Sequence, residues 1–279
     1  SNDSKRVFYL FARDLSLAPA RPDSGSWGPS SAELRSLDIS SGKSDTLLPG
    51  TSVIDFDIAH DEKQVAFSTT HGPDGESSIW VASLDRRSPP RQIARNGDSV
   101  SFGADGELIF RSLAGNNSLI RIKQDGAGRE QITATPVLDK FGVSPDGEWV
   151  IVYSPGAGPA QAATLAVPTH GGVPRRICRQ GACLATWSSD GRFFYVLNSA
   201  FNALDAATLA GNKTVAIPVP SGKSLPDLPA DGIDLAAPQL AIPGARVIDH
   251  ELISPGPDPS TYVFTKTDLQ RNLFRIPLH

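Results

Sequence analysis

A short phrase recurs along this sequence at a nearly constant distance, and this repeat restricts the possible folds more than any other feature. One copy is FGVSPDGEWVIVYS, residues 141–154, in which Ser144-Pro145-Asp146-Gly147 separates two short apolar runs. Proline and glycine at these turn positions are typical of a hairpin between two β-strands. The turn aspartates of four copies follow one another at steps of 44, 41 and 44 residues, at Asp61, Asp105, Asp146 and Asp190.

Further short strand patterns follow each turn, so that a unit of about 44 residues contains four strands, the spacing of a β-propeller blade. The strands lack clean alternation of apolar and polar residues, as expected when neighbouring blades cover both faces of each sheet. We therefore predict an all-β, six-bladed β-propeller with four-stranded antiparallel blades and incomplete terminal blades, forming a single domain over 1–279. The predicted blades span about 5–50, 51–96, 97–135, 136–180, 181–230 and 245–279.

Two stretches interrupt the period. Residues 12–32 are predicted to form a long Pro/Ser-rich hairpin loop, and residues 218–245 a Pro-rich insertion with one short helix near 234–241. Long loops on a rigid scaffold often carry function. Closure of the ring is expected to bring residues 6–11 near residues 273–278, with residues 272–276 as a third strand of the last blade.

The charge of the chain argues against nucleic-acid binding, and its hydropathy argues against a membrane-spanning helix. The net charge of −4 gives no basic footprint for nucleic acid. No apolar run approaches the roughly 18 to 20 residues that a membrane-spanning helix needs. Because the chain begins Ser-Asn and contains no Met, we expect it to be a fragment of a longer protein, with any membrane segment outside this chain.

The two cysteines, Cys178 and Cys183, lie within one short loop. Two ligands cannot complete a structural zinc site, and no His pair is close by at metal-ligand spacing. We favour a disulfide, which would imply an oxidising compartment; two free thiols are the alternative.

Motifs of catalysis are missing from the sequence. It contains neither the G-x-S-x-G nucleophile elbow nor a P-loop, and its five histidines are dispersed. We predict no catalytic residue, no metal site and no cofactor. The repeated aspartates, Asp61, Asp105, Asp146 and Asp190, are each predicted to serve their own turn, because each belongs to a different blade.

The innermost strands contain the more informative polar residues. When the repeats are aligned on the turn, one side-chain parity is apolar and the other is largely polar, which places the two sets on opposite faces of the strand. The polar set includes Asp55, Asp57, Lys140 and His250 as candidate ligand-binding residues in a central channel, with Ser99 and Ser101 at matching positions. Two interpretations remain open: a hydrated channel with internal salt bridges, or a site for a cation or small ligand.

The S-P-D-G phrase followed by an apolar strand resembles the TolB-type (WD40-like) propeller repeat, which also occurs in prolyl oligopeptidase-type enzymes. SIWVASLDRRSPPRQI, GGVPRRICRQG, AIPVPSGKSLPDLPADGI and QRNLFRIPL resemble the C-terminal propeller of serine/threonine protein kinases from acidobacteria. The second resemblance implies an extracytoplasmic sensor that a membrane helix tethers to the inner membrane. The kinase motifs themselves are absent from this chain, so it is not expected to be an enzyme.

The sequence thus predicts a non-catalytic propeller that senses or binds a protein or a small-molecule ligand, as the extracytoplasmic part of a membrane-bound bacterial serine/threonine kinase. It contacts a membrane only through a segment outside this chain and binds no nucleic acid. Two alternatives are the gating propeller of a prolyl oligopeptidase-like peptidase and a metal-dependent propeller hydrolase that uses axial carboxylates.

Overall fold

The computed structural model describes residues 1, 3–12, 32–71, 76–155, 162–179, 181–197, 213–235, 242–250 and 253–264. These residues form 21 strands in six antiparallel sheets, and within each sheet the strands follow chain order. The chain is an all-β propeller with four-stranded antiparallel blades. Residues 265–279 lie outside the described residues, so the count of six blades and the predicted strand at 272–276 stay predictions.

The strands occupy the following ranges. Blade 1 contains β1 (Arg6–Phe11), β2 (Glu33–Asp38) and β3 (Ser44–Thr46); blade 2 contains β4 (Asp55–Ile58), β5 (Gln64–His71), β6 (Glu76–Ser83) and β7 (Arg91–Arg95). Blade 3 contains β8 (Gly97–Phe102), β9 (Leu108–Ser112), β10 (Leu119–Ile122) and β11 (Glu130–Gln131). Blade 4 contains β12 (Asp139–Val143), β13 (Trp149–Ser154), β14 (Ala163–Pro168) and β15 (Arg175–Arg176). Blade 5 contains β16 (Leu184–Trp187), β17 (Phe193–Leu197), β18 (Thr214–Pro218) and β19 (Arg246–Ile248), and a final hairpin follows, formed by β20 (Ile253–Pro255) and β21 (Tyr262–Phe264).

The hydrophobic core lies in layers between successive blades. One layer joins Ile79 and Val81 of blade 2 to Val100 and Phe110 of blade 3, and all four side chains are buried. The inner strands β4, β8, β12 and β16 pack side by side. Because each sheet buries both faces, its strands are apolar on both faces, which is why the sequence lacks clean alternation.

The repeated phrase forms the hairpin turn between the first two strands of blades 2 to 5. In blade 4 the Gly147 N–H donates to the Ser144 carbonyl at 2.8 Å, and Gly147 adopts φ 76°. A Cβ atom at this position would lie 2.3 Å from the backbone nitrogen of Ala104, in the matching turn of blade 3. Glycine is therefore required here both for the left-handed conformation and for the close approach of two blades.

The Pro-rich insertion is partly a packed element of the fold. Ile233 is buried, and its carbonyl accepts the Arg179 N–H at 2.9 Å. The Trp187 indole N–H donates to the Ser224 carbonyl at 2.7 Å, and Leu225 is buried in the core of blades 4 and 5. Residues 218–235 thus pack against blades 4 and 5, while most of the helix predicted near 234–241 lies outside the described residues.

The predicted boundary between the fifth and last blades, at 230–245, is wrong for β19. This strand follows the insertion in the chain, but it pairs with β18 and therefore completes blade 5. Residues 13–31 of the predicted hairpin loop lie outside the described residues, as do residues 273–278 of the predicted ring closure.

Candidate functional site

Backbone pairing shows which inner-strand residues are equivalent. Asp55 pairs with Ser68 in blade 2, Asp98 with Arg111 in blade 3, Asp139 with Tyr153 in blade 4 and Leu184 with Leu197 in blade 5. The register shifts between Asp98 and Ser101 and again between Lys140 and Gly142. When the repeats are aligned on their turns, Ser99 and Lys140 become the equivalents of Asp55. The structure shows that this alignment is wrong by one residue, because each β-bulge adds one residue to its strand.

Asp55 joins blade 2 to blade 3. Its carboxylate accepts the backbone N–H groups of Ser99 at 2.9 Å and Val100 at 3.0 Å, and also the Ser68 hydroxyl. Ser99 has φ 51°, and this left-handed bulge residue turns two successive N–H groups toward one carboxylate. Asp57 makes a similar link by accepting the Phe102 N–H at 2.8 Å.

An ion pair lies beside this link, inside blade 3. Arg111 is fully buried, and its Nε and Nη2 atoms donate to the two carboxylate oxygens of Asp98 at 2.7 and 2.5 Å. Such two-pronged geometry satisfies both groups within the low-dielectric interior. This pair is not among the residues predicted from the sequence, although the single arginine in the apolar strand LIFRS of β9 indicates a buried charge.

Blade 4 contributes Asp139 and Lys140. The Lys140 ammonium is buried and donates to the Ser101 hydroxyl at 2.6 Å; burial lowers the pKa of Lys140, while the carboxylates of Asp57 and Asp55 oppose this change. Asp139 accepts its hydrogen bonds from the Lys140 N–H at 2.8 Å and the Ser99 hydroxyl at 3.2 Å.

Burial has the largest effect on the pKa values of the carboxyl groups of Asp55, Asp57 and Asp139. It raises the pKa of Asp55 and of Asp57, although their hydrogen bonds act in the opposite direction. It raises the pKa of Asp139 to about 6, against the attraction of the Arg111 guanidinium. Together with Asp98, these groups form what we call the inner-strand charge cluster: Asp55, Asp57, Asp98, Arg111, Asp139 and Lys140.

The structure therefore brings together three of the four predicted channel residues. His250 does not join the inner-strand charge cluster; its ring stacks on Phe264 with centroids 4.1 Å apart and also contacts Tyr262. Within the ranges that the structure describes, no group of three or more His, Cys, Asp or Glu side chains is placed to hold a metal ion.

Blade 5 differs from blades 2 to 4 at the same positions. Leu184 and Leu197 replace the polar pairs, and no bulge interrupts the pairing of β16 with β17. A cavity of about 240 Å³ lies against this face of the sheet. Its lining residues are Phe141, Leu184, Ala185, Thr186, Tyr195, Leu197, Thr214 and Ile253.

The turn aspartates stay apart and make local hydrogen bonds. Asp61 accepts the Lys63 N–H at 3.0 Å, and Asp190 accepts the Arg192 N–H at 3.1 Å and the Ser188 hydroxyl at 2.7 Å.

Two of these turns differ from that pattern. Asp146 accepts the Ser144 hydroxyl and the Glu148 N–H within its turn, and in addition the hydroxyl of Ser224 from the insertion. Asp105 contributes its left-handed backbone conformation, with φ 52°.

Cys178 and Cys183 form a disulfide, and both residues are buried. This bond closes the loop between β15 and β16, next to the parallel bridge between Cys178 and Ile233. No helix in the described part of the chain has the length and apolar character needed to cross a membrane.

Comparison with known proteins supports the fold at low sequence identity. The chain is similar to TolB from Acinetobacter baumannii (TM-score 0.57, 18% identity, covering 80% of this chain and 52% of that one). It is also similar to a putative TolB from Agrobacterium tumefaciens (TM-score 0.54, 16% identity, covering 69% of this chain and 72% of that one). Hydrazine synthase of Kuenenia stuttgartiensis gives a TM-score of 0.57 at 16% identity, covering 77% of this chain and 37% of that one.

The chain spans about half the length of the Acinetobacter baumannii TolB. No protein-family model and no curated protein matches the sequence. The comparisons therefore establish a TolB-like β-propeller fold.

Proposed function

We propose that this chain is a non-catalytic interaction module, a propeller that binds a protein or small-molecule ligand. The observation that carries the proposal is the use of the inner-strand carboxylates. Asp55 and Asp57 bind backbone N–H groups of the next blade, so these side chains hold the inner strands in register. A general acid or a metal ligand would instead need a carboxylate oxygen directed at substrate or ion.

We further propose that the module is the extracytoplasmic part of a membrane-bound bacterial serine/threonine kinase. The resemblance of four sequence segments to kinase-linked propellers supports this proposal. The disulfide between Cys178 and Cys183 agrees with it, because such bonds persist in oxidising compartments outside the cytoplasm.

A metal titration tests the non-catalytic part of the proposal. We expect the melting temperature of the wild-type protein to change by less than about 1 °C in millimolar Ca²⁺ or Mn²⁺, because binding to the native state would raise it by mass action. The control is a double variant, Asp55→Asn with Asp57→Asn, in which each side chain loses its charge and one acceptor oxygen, and the effect of the metal is measured against the variant's own melting temperature. A rise in melting temperature that occurs in the wild type and disappears in the double variant would instead support the metal-dependent hydrolase.

The coding sequence on either side of this chain tests the kinase part. We expect an upstream kinase domain followed by a membrane helix. A downstream Ser/Asp/His hydrolase domain would contradict this and favour the gating propeller of a peptidase.

A further inference from the structure

Blade 1 begins with a further copy of the repeated turn. The amino group of Ser1 donates to the Arg6 carbonyl at 2.9 Å, and the Arg6 N–H donates to the Ser1 hydroxyl at 2.8 Å. In blade 4 the same groups of Ser144 make the same two contacts with Trp149, at 2.8 and 2.9 Å. Arg6, the first residue of β1, is therefore equivalent to Trp149, the first residue of β13.

The carboxylate of this turn is also equivalent. Asp3 accepts the Ser1 hydroxyl at 2.8 Å and the Lys5 N–H at 3.1 Å, and Asp146 stabilises the turn of blade 4 in the same way. Ser4 has φ 55°, the left-handed conformation that glycine adopts in blade 4. In the complete blades this turn joins the inner strand to the second strand, so β1 is the second strand of blade 1.

The described residues contain no inner strand for blade 1. Its sheet has three strands, in the order β1-β2-β3, whereas the sheets of blades 2 to 5 have four. The outer strands β7, β11 and β15 each lead to the inner strand of the next blade, and β3 leads to β4 in the same way. Blade 1 therefore has its outer strand, and the space for its inner strand, which we call the inner-strand slot, lies along the free edge of β1.

Main-chain groups of β1 are directed into the inner-strand slot. The Ile39 N–H donates to the Lys5 carbonyl at 2.8 Å, and residues alternate between the two edges of an antiparallel strand. Odd-numbered residues of β1 therefore bond to β2, while Phe8 and Leu10 direct their N–H and C=O groups into the slot. Within the described part of the chain, these groups of Phe8 and Leu10 have no main-chain partner.

The positions equivalent to Phe8 are paired in the complete blades. They are Ala66, Ile109, Ile151 and Tyr195, which pair with Asp57, Ser101, Gly142 and Thr186 of the inner strands. All four of these second-strand residues are buried, whereas Phe8 is half-buried. The slot thus lacks the strand that covers this position elsewhere in the ring.

The side of the inner-strand slot that faces blade 2 is apolar. Leu10 packs with Phe56 and Ile58 of β4, and all three are only partly buried. Ala185 and Trp187 occupy the positions of Phe56 and Ile58 in blade 5, where they are buried beside a complete blade 4. A strand in the slot would cover Phe56 and Ile58 with alternate side chains, because these share one face.

We propose that the inner-strand slot is a docking site for an extended segment of a partner protein, which pairs antiparallel with β1 and carries apolar side chains at alternate positions. Unpaired sheet edges bind extended peptides in this way, through main-chain hydrogen bonds and contacts of alternate side chains. The strand predicted at 272–276 is assigned to the last blade, which leaves the slot to another chain. This inference rests on the proposed function of the ring as an interaction module.

A short peptide tests the site by calorimetric titration of the 279-residue chain. The peptide copies residues 182–187, ACLATW, which include the bulge-free inner strand of blade 5, with Cys183→Ser and blocked ends. In the slot its threonine pairs with Phe8 and its leucine with Leu10. We expect saturable binding with a Kd below about 1 mM, and no saturable binding up to about 10 mM would overturn the proposal.

Two N-methylated peptides test the pairing with β1. Methylation of the nitrogen copied from Thr186 removes the N–H that donates to the Phe8 carbonyl, and should weaken binding about tenfold. Methylation of the nitrogen copied from Ala185 alters an N–H that points away from β1, and should change the Kd by less than about threefold. An equal loss with both peptides would contradict the pairing.

Amide hydrogen exchange, measured by NMR, locates the bound peptide. In the free protein the amides of Phe8 and Leu10 should exchange faster than those of Val7 and Tyr9, which bond to β2. The peptide should slow the exchange of Phe8 and Leu10 only. Slow exchange of these two amides without peptide would show that this chain fills the slot itself, and would overturn the docking of a partner.

A fusion variant serves as the competition control. The same six residues are joined directly to Ser1, which copies the junction of Trp187 with Ser188 in blade 5. The fused strand should fill the slot and abolish the binding of free peptide, whereas a fusion with Thr186→Pro in the added copy should retain it. Unchanged peptide affinity of the first fusion would place the peptide elsewhere on the ring; the slot assignment would then be wrong and the interaction module would remain.

Discussion

Replacing Asp139 with Asn should stabilise the protein at neutral pH. In the folded state burial raises the pKa of Asp139 to about 6 from its ordinary value of 3.8. This value already includes the attraction of Arg111, the repulsion of Asp98 and the hydrogen bond from the Lys140 N–H. The difference corresponds to about 3 kcal/mol, at about 1.4 kcal/mol per pKa unit.

The sign follows from proton linkage. Between pH 3.8 and about 6 the folded state retains a proton on Asp139 that the unfolded chain has already released. The free energy of unfolding therefore falls as pH rises through this window, and the full cost is present above pH 6. Asn cannot ionise, and its amide oxygen can still accept the Lys140 N–H.

Urea denaturation followed by tryptophan fluorescence, at pH 4, 5, 6 and 7, measures the effect. We expect Asp139→Asn to exceed the wild type by about 2 to 3 kcal/mol at pH 7, and the two proteins to agree within about 0.5 kcal/mol at pH 4. Asp55 and Asp57, whose pKa values are also raised, are present in both proteins. Asp45→Asn, at an exposed position of β3, is the control, because it removes a negative charge that is not buried.

Two results would contradict this prediction: Asp139→Asn is no more stable than the wild type at pH 7, or the difference between the two proteins is the same at pH 4 and pH 7. Either result would mean that Asp139 is solvated in the folded protein, or that its negative charge contributes net stability through Arg111.

Three further predictions concern stability. Asp98→Ala should cost about 3 to 5 kcal/mol because it removes the carboxylate that accepts two hydrogen bonds from the buried Arg111 guanidinium, whereas the double variant Asp98→Leu with Arg111→Met should recover most of that loss in the same urea assay. Asp146→Ala should lower the free energy of unfolding by about 1 kcal/mol through loss of its turn hydrogen bonds, and Asp146→Asn, which keeps an acceptor oxygen, should lose less; equal losses would contradict a turn role. Replacing both Cys178 and Cys183 with Ala should cost about 2 kcal/mol, as expected for a short closed loop, and a reducing agent should then lower the melting temperature of the wild type only.

Local sequence was a good guide to the strands. The largely apolar run at residues 5–11 predicts a strand, and this run contains β1; the turn at Ser144–Gly147 joins β12 to β13. Both depend on short-range chemistry, because β-branched and aromatic runs favour strands and a Pro-Asp-Gly sequence fixes the turn between them. The outer strand β19 was missed because residues 219–245 separate it from its partner β18, and sequence spacing does not show pairing across such an insertion.

The candidate site was only partly predictable. Asp55 and Asp57 were identified from alternation, which holds in β4 because this strand has no bulge. Asp98 and Asp139 were missed because one extra residue in β8 and in β12 shifts the register, and a shift of one residue exchanges the two faces of a strand.

The sequence by itself determined the propeller, because its information is periodic: a repeated turn and short apolar strands whose side chains must be covered on both faces. Only the tertiary structure decided which polar atoms meet. The cross-blade hydrogen bonds of Asp55 and the buried partner of Asp98 both depend on contacts between residues that are adjacent in space and distant in the chain. Bulges and burial set those contacts, and neither leaves a regular signal in a single sequence.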